Sequence, residues 1–455
     1  MKKVRKHILL VTLLFGIFMS GFGQNPIIQT MYTADPAPIV HNDTLFLYVG
    51  HDEDNAPNNT FLMREYSLFT TTDMVNWTAH KAPLKTSDFK WSGGDASAAQ
   101  CIERDGKFYF YISSWNTEKP GIAMGVAVSD SPYGPFKDAL GKSLVTNDMT
   151  KFADHSWDDL DPSVMIDDNG QAYLFWGNNA LYYAKIKKNM VELDSEITAL
   201  DIFNKEAFGP DFEEAPWVYR RDDRYYMIYA SHVIEDIRYT TSENIKGPWE
   251  FGGLLMKHSG NSGSNHPAII DYKGNSYFFY HTAKLEGGHD HRRSVSVEKF
   301  EYNEDGSIPE IPKTDEGLLE SVGNLNPFQL TQAETIAWSE GLKLDHSEEV
   351  GVFVTDIHNE DLLKVRDVDF GNSGAAEFTA KVSSRYLGGE MEIRLDSKDG
   401  PLLGTLNVPY IGDWSNWKNH SVEIEKVTGI HDLYFLFKGR EPHELFRFDS
   451  WKFSE

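Results

Sequence analysis

The chain has 455 residues, 40% hydrophobic and 25% charged, an ordinary globular composition that is too long for one compact core, so two domains are expected. A formal net charge of −26, with no Lys/Arg run past the N-terminus, excludes nucleic acid and anionic lipid as natural partners and favours a neutral ligand. Cys101 is the only cysteine, which excludes an intramolecular disulfide. Aromatic side chains make up 13% of the chain, a richness that suits either sugar-stacking surfaces or a β-rich core.

The first element is Met1-Lys2-Lys3-Val4-Arg5-Lys6, an apolar run from Ile8 to Phe18, and the small residues Ser20-Gly21-Phe22-Gly23. That order predicts a cleaved export signal over residues 1–23, and the apolar run is too short to cross a bilayer. The expected location is secreted or periplasmic in a bacterium, with no membrane association after cleavage. A buried N-terminal helix is the alternative.

Five polar turns then recur, each followed by an aromatic and apolar strand: His41–Thr44, Arg104–Lys107, Asp168–Gln171, Arg221–Arg224 and Tyr272–Asn275. Each is a hairpin signal, and the period of roughly 50 to 65 residues matches a propeller blade of about four strands. The expected fold is therefore all-β, with a five-bladed β-propeller over residues 24–320. Upstream of the five turns stand Asp35-Pro36, Gly94-Asp95-Ala96-Ser97, Asp161-Pro162, Glu214-Ala215-Pro216 and Asn265-His266-Pro267. The innermost strands of a propeller line its axis, so Asp35, Asp161 and Glu214 are expected to converge. Proline is tolerated there because an edge strand need not donate on its free side.

The blade pattern ends near Ile308-Pro309-Glu310-Ile311-Pro312. A linker is expected over 321–331. From 332 to 455 short alternating strands such as Glu377–Val382, Glu390–Leu395 and Asp432–Phe437 predict a β-sandwich of the jelly-roll kind.

Three converging acids suit glycosidic hydrolysis, in which one carboxyl protonates the leaving oxygen and another activates water. A third raises the pKa of the acid and orients it. Such acids serve structure or cation binding equally well. Neighbours in a strand face opposite ways, so only one of Glu213 and Glu214 can enter the site.

The segments Ala34-Asp35-Pro36-Ala37-Pro38, Leu160-Asp161-Pro162-Ser163-Val164 and Phe212-Glu213-Glu214-Ala215-Pro216-Trp217 resemble the three acidic motifs of family 43 glycoside hydrolases. The resemblance extends over nearly all of residues 26–312. It implies an inverting mechanism with Asp35 as general base, Glu214 as general acid and Asp161 as modulator of the acid's pKa and orientation. It also implies a sugar-binding role for Arg293, a pocket place for His266, and a place for His281 near a cation or water cluster on the axis. Ser97 and Tyr66 stand where many relatives carry Trp at the pocket wall, which predicts an altered subsite.

The C-terminal part resembles family 6 carbohydrate-binding modules, through Gln332-Ala333-Glu334, Lys364–Gly371, Gly412–Trp417 and Leu445–Asp449. Leu362 and Arg447 replace the usual sugar-gripping Tyr and Asn, leaving Trp414 and Trp417 as candidate platforms. The module is thus expected either to have altered specificity or to act as a buttress. Glu334 and Asp449 resemble carboxylates that hold a structural calcium ion; the chemistry itself calls for no cofactor.

The resemblance implies an α-L-arabinofuranosidase acting on arabinoxylan or a related hemicellulose, with a β-D-xylosidase as the alternative. Partners would be plant cell-wall glycans: arabinoxylan, arabinan or xylo-oligosaccharides. A non-catalytic secreted glycan-binding protein is the alternative from another class.

Overall fold

The computed structural model describes residues 24–57, 60–258 and 262–455. The segment read as an export signal lies outside the described residues. The architecture is all-β, as expected, and among the described residues the one α-helix is the single turn Lys205–Phe208.

Five antiparallel sheets follow one another along the N-terminal part, each built in chain order. Their first strands are Thr33–His41, Ser92–Arg104, Ser163–Ile166, Glu214–Arg221 and Ala268–Tyr272. Two-residue turns join first to second strands where His41 pairs with Thr44, Arg104 with Lys107, Arg221 with Arg224, and Tyr272 with Asn275. At three of these both central residues have positive φ (Asn42 and Asp43, Asp105 and Gly106, Lys273 and Gly274), the backbone that matches strand twist in a tight hairpin. The third sheet differs: Ile166 pairs with Ala172 across a longer turn.

The second strands carry the aromatic runs and are buried almost throughout. First strands of the first four sheets lie side by side in order, and that of the first sheet also meets that of the fifth. Side-chain bonds tie them together: Ser163 Oγ accepts the Val218 amide at 2.9 Å, and Trp217 Nε1 donates to the Ile269 carbonyl at 3.0 Å. Residues ahead of the first strand bind the last strand of the fifth sheet, through Ile27 N to Val295 O (2.9 Å) and Val297 N to Asn25 Oδ1 (3.0 Å).

Two further sheets form the C-terminal part, one ordered around Ala375–Ser383 and Arg447–Ser454, the other around Leu362–Asp369 and Ile430–Lys438. Their inner faces share a core in which Phe435 lies 5.6 Å from both Phe378 and Trp451, ring to ring. This body is joined to the first by strand pairing, Thr335–Ile336 adding to the outer strand Trp77–Lys85. Arg366 crosses the same junction: its Nη1 donates to Gln24 Oε1 (3.0 Å) and Leu318 O (2.8 Å), and its backbone exchanges two bonds with Asn76.

Candidate active site

Where the first strands converge there is a cavity of about 320 Å3 whose lining includes Asp35, Asp161, Glu214, Ser97, His266, His281 and Arg293. A local backbone device aims the acids into it. Asp35 and Asp161 have φ of 53° and 60°, and in the fourth motif Ala215 has φ of 57°. Each directly precedes a proline, where a left-handed backbone is disfavoured, at a cost of about 1–3 kcal/mol per residue. Strand register slips at the same places, between Ala34 and Ala37 and between Glu214 and Trp217. A bulge of this kind re-aims a side chain that regular alternation would send elsewhere. The fourth motif places its acid one residue before the strained position, and Glu is one methylene longer than Asp.

Glu213 turns away. Its Oε1 accepts from Asn179 Nδ2 at 3.0 Å, and it lines a neighbouring cavity instead.

The electrostatics separate the three acids. Burial works to raise the Asp35 pKa, but the Arg293 guanidinium, a His281 hydrogen bond and nearby His266 outweigh it and hold the carboxyl well below its ordinary range. Arg293 Nη1 donates to Asp35 Oδ1 at 2.9 Å. The Glu214 carboxyl is raised by burial and by the charges of Glu213 and Asp35, against a tight hydrogen bond from Asn178 Nδ2. Asp161 is raised by burial and then by Glu214 and Asp35, while its Oδ2 accepts the Ala215 amide at 3.1 Å. That amide belongs to the residue after Glu214, so Asp161 fixes the backbone that carries Glu214. One ionised carboxylate thus faces a pair that retains a proton, the division of labour that a base and an acid require.

The remaining pocket residues fall into place around them. His266 lies with Nδ1 3.9 Å from Asp161 Oδ2, and burial lowers its pKa to about 4, so its ring is neutral near pH 7. His281 has both ring nitrogens engaged: Nδ1 lies 3.4 Å from both the Asp35 amide and Asp35 Oδ1, and Nε2 lies 3.0 Å from the Ser264 carbonyl. The structure thus makes it a support for Asp35; a cation-binding role would need it to give up one of these bonds.

The model described as "Glycosyl hydrolases family 43" matches residues 23–308, and that of "Carbohydrate binding module (family 6)" matches residues 332–455. The chain belongs to glycosyl hydrolase family 43. An arabinoxylan arabinofuranohydrolase of Bacillus subtilis (strain 168) is 31% identical over 95% of this chain and 92% of its own length. A crystal structure of a family 43 arabinoxylan arabinofuranohydrolase from Bacillus subtilis superimposes with a TM-score of 0.82 at 28% identity, covering 95% of this chain and 98% of that one. A xylosidase/arabinosidase of Bacteroides ovatus is 28% identical over 63% of this chain and 96% of its own length.

In this glycoside hydrolase several expected site residues are placed differently by the structure. Ser97 lines the pocket, but Tyr66 is buried behind it and not in the wall; its hydroxyl donates to the Ser97 carbonyl at 2.7 Å. The wall is not short of tryptophan, because Trp115, Trp157 and Phe61 line it from other segments, at 42%, 47% and 46% exposure. Arg293 does line the pocket, yet it is committed to protein: Nε and Nη2 donate to the two oxygens of Asp52, each at 2.9 Å. Arg292 points elsewhere, to the Asp54 carbonyl.

Asp52, Asn178 and the pocket aromatics were missed by motif reading. Asp52 and Asn178 act through partners distant in sequence, Arg293 and Glu214; only the need of a buried arginine for a counter-ion hinted at Asp52.

In the C-terminal body, Trp417 is no platform, since it is buried edge-on against Phe353 with ring centroids 5.1 Å apart. Trp414 is half-buried, and the Arg447 guanidinium lies 4.7 Å from its ring centroid. Leu362 is buried in a central strand, leaving no aromatic partner there. Glu334 Oε2 and Asp449 Oδ1 are both buried without a hydrogen-bond partner, and burial, then Asp449, pushes the Glu334 carboxyl up to about 8. Two buried carboxylate oxygens without a partner among the described residues fit a hard cation. Lys381 approaches the other Asp449 oxygen at 3.3 Å.

Proposed function

We propose that this hydrolase is an inverting α-L-arabinofuranosidase that removes arabinose side chains from arabinoxylan or a related hemicellulose. The observation that carries this is the meeting, in one pocket, of a salt-bridged Asp35 with a proton-retaining Glu214 and Asp161, delivered by three different sheets. Asp35 takes a proton from water as that water attacks the anomeric carbon. Glu214 gives its proton to the leaving oxygen. Asp161 accepts the Ala215 amide and so fixes the backbone that carries Glu214. The names of the two arabinofuranohydrolase relatives, which align along almost the whole chain, support the sugar and the polymer. The name of the xylosidase/arabinosidase relative supports β-D-xylosidase as the second reading.

The sequential sheets with adjoining first strands support a five-bladed β-propeller over residues 24–320, and the facing C-terminal sheets support a β-sandwich module over 332–455 joined by residues 321–331. Glu334 and Asp449 would hold a calcium ion of structural purpose beside the junction, where the Glu334 carbonyl accepts the Ala79 amide. Calorimetry with and without a chelator tests this: a melting temperature indifferent to calcium removes the site. The N-terminal segment supports export to the periplasm or medium, and N-terminal sequencing of the exported protein should begin near Gln24.

Proton NMR of the first-formed sugar decides the stereochemistry, since initial retention of configuration contradicts the inverting reading. A screen of para-nitrophenyl arabinofuranoside, xyloside and galactofuranoside beside arabinoxylan and branched arabinan decides the sugar. Turnover of the xyloside alone would replace the arabinofuranosidase reading with the second one.

A further inference from the structure

Glu235 lies in the turn between the second and third strands of the fourth sheet, 4% exposed, and the roles above make no use of it. Its backbone amide donates to the Gly263 carbonyl at 3.1 Å, and one of its carboxyl oxygens accepts the Asn265 amide in a tight bond. It is thereby pinned between the fourth and fifth sheets. Glu214 pairs with Ala230 and Ala230 with Ile237 of the next strand, so the turn stands at the Glu214 end of the sheet, where the Glu235 and Glu214 carboxyls meet. Two carboxyl groups can share a hydrogen bond only if one of them carries a proton. The titratable groups that face Glu235 are Glu214, Asp161 and Glu213, all carboxyl groups, and among the described residues none pairs it with a cation. Its neighbour Asp236 is turned to Arg238 at 3.0 Å. Burial first, and these carboxylates second, keep Glu235 protonated well above the ordinary range for a glutamate.

We propose that Glu235 is a positioning residue for the reaction, a carboxylic acid whose O–H donates to Glu214 and meets the negative charge that appears there as the leaving group is protonated. The inference rests on Glu214 being the general acid. In the ground state the bond joins two neutral groups. As the glycosidic C–O bond breaks, the Glu214 proton moves to the leaving oxygen and Glu214 becomes a carboxylate. The bond from Glu235 is then charge-assisted, so it strengthens in the transition state, where strengthening raises turnover. Glu235 keeps its own proton throughout. The proton that Asp35 takes from water leaves through solvent, and Glu214 regains one from solvent, so the cycle closes without net change. Asn178, donating to Glu214 Oε2 from the third sheet, holds the carboxyl from another sheet.

The test compares Glu235→Ala and Glu235→Gln on arabinoxylan and on para-nitrophenyl arabinofuranoside. Loss of one hydrogen bond to a developing charge predicts a fall in kcat on arabinoxylan of about tenfold or more for Glu235→Ala, with KM within about twofold. The basic limb of the kcat profile moves to higher pH in that variant, because Glu214 loses a donor that favoured its ionised form. On the aryl glycoside, whose leaving group needs little protonation, the fall is under about threefold. Glu235→Gln, a neutral donor of the same shape, recovers most of the turnover lost in Glu235→Ala. Equal losses on both substrates, a Gln variant as impaired as the Ala variant, or an unchanged kcat and pH profile in Glu235→Ala each overturn the proposal. Glu235→Met, closer in volume, takes the place of the Ala variant if that one does not fold. Glu214→Gln is the separating control: full turnover of arabinoxylan by that variant removes the acid assignment itself, whatever the Glu235 variants do.

Discussion

Two arginines beside aromatic rings show how differently the two bodies of this molecule treat a sugar-sized surface. Arg293, in the N-terminal body, lies 5.0 Å over the Phe61 ring, but its donors go to Asp52 and Asp35, and Trp115 and Trp157 stay open to the cavity. Arg447, in the C-terminal body, stands over both Trp414 (4.7 Å) and Phe353 (5.2 Å), with its nearest carboxylate, Glu444, 3.6 Å away. The first guanidinium organises charge and leaves aromatic faces free; the second covers an aromatic face with the protein's own cation. Buried charge therefore marks a working site only where it is arranged around an accessible space, and it marks packing where it fills that space.

The sharpest way to break the contrast is to neutralise the acids of the open site. Glu214→Gln and Asp35→Asn should each lower kcat on arabinoxylan by about 10²–10⁴-fold, the usual range for a positioned acid or base. Glu213→Gln should stay within about threefold, because that side chain faces the neighbouring cavity. Steady-state kinetics beside thermal melts checks this. If Glu213→Gln were the dead variant, the placement of the fourth motif would be wrong.

How much of this was legible beforehand depended on whether a feature is local. The hairpin turns were, because Asn42-Asp43 or Asp105-Gly106 carries its own backbone preference. The convergence of Asp35, Asp161 and Glu214 was legible from the repeat, since equivalent strands of equivalent sheets must meet. The strained residue before each proline explains the offset between Glu214 and the two aspartates, and nothing in a single motif announces it. Asp52 was invisible for another reason: its partner is Arg293, and only the meeting of the fifth sheet with the first puts the two together. Other segments supply Trp115 and Trp157, so the absence of Trp at positions 66 and 97 was a misleading guide to the pocket wall.

Asp52 gives the second test. Asp52→Asn leaves Arg293 buried with half its counter-charge gone and should destabilise the protein by about 3–5 kcal/mol, read by denaturant titration. Arg293→Met acts on activity as well. Asp35 must be ionised to act as base, so activity is lost as pH falls through its pKa. Without the guanidinium, burial raises that pKa against the two histidines alone, and the acidic limb of kcat/KM should shift to higher pH. An unmoved limb would show that His281 and His266 suffice to hold Asp35 ionised.

The smallest effect bears on the aromatic faces themselves. Trp157 is stacked on His155 with centroids 4.2 Å apart and planes 17° from parallel, which holds its ring in place at the cavity edge. A ring held in that way loses little entropy on binding, and an aromatic contact is worth about 0.5–1.5 kcal/mol beyond burial. Trp157→Ala should therefore raise KM on arabinoxylan about three- to tenfold, while kcat on a small aryl glycoside changes little. Trp414 offers a sugar only the face that Arg447 leaves, and its neighbour Tyr386 meets it edge-on while stacking on His443 at 4.4 Å. Trp414→Ala should accordingly change retention of the full-length protein in xylan affinity gels by less than about twofold. Loss of retention in that variant would mean that Arg447 swings aside to admit a sugar, and the contrast between the two arginines would be one of motion instead of occupancy.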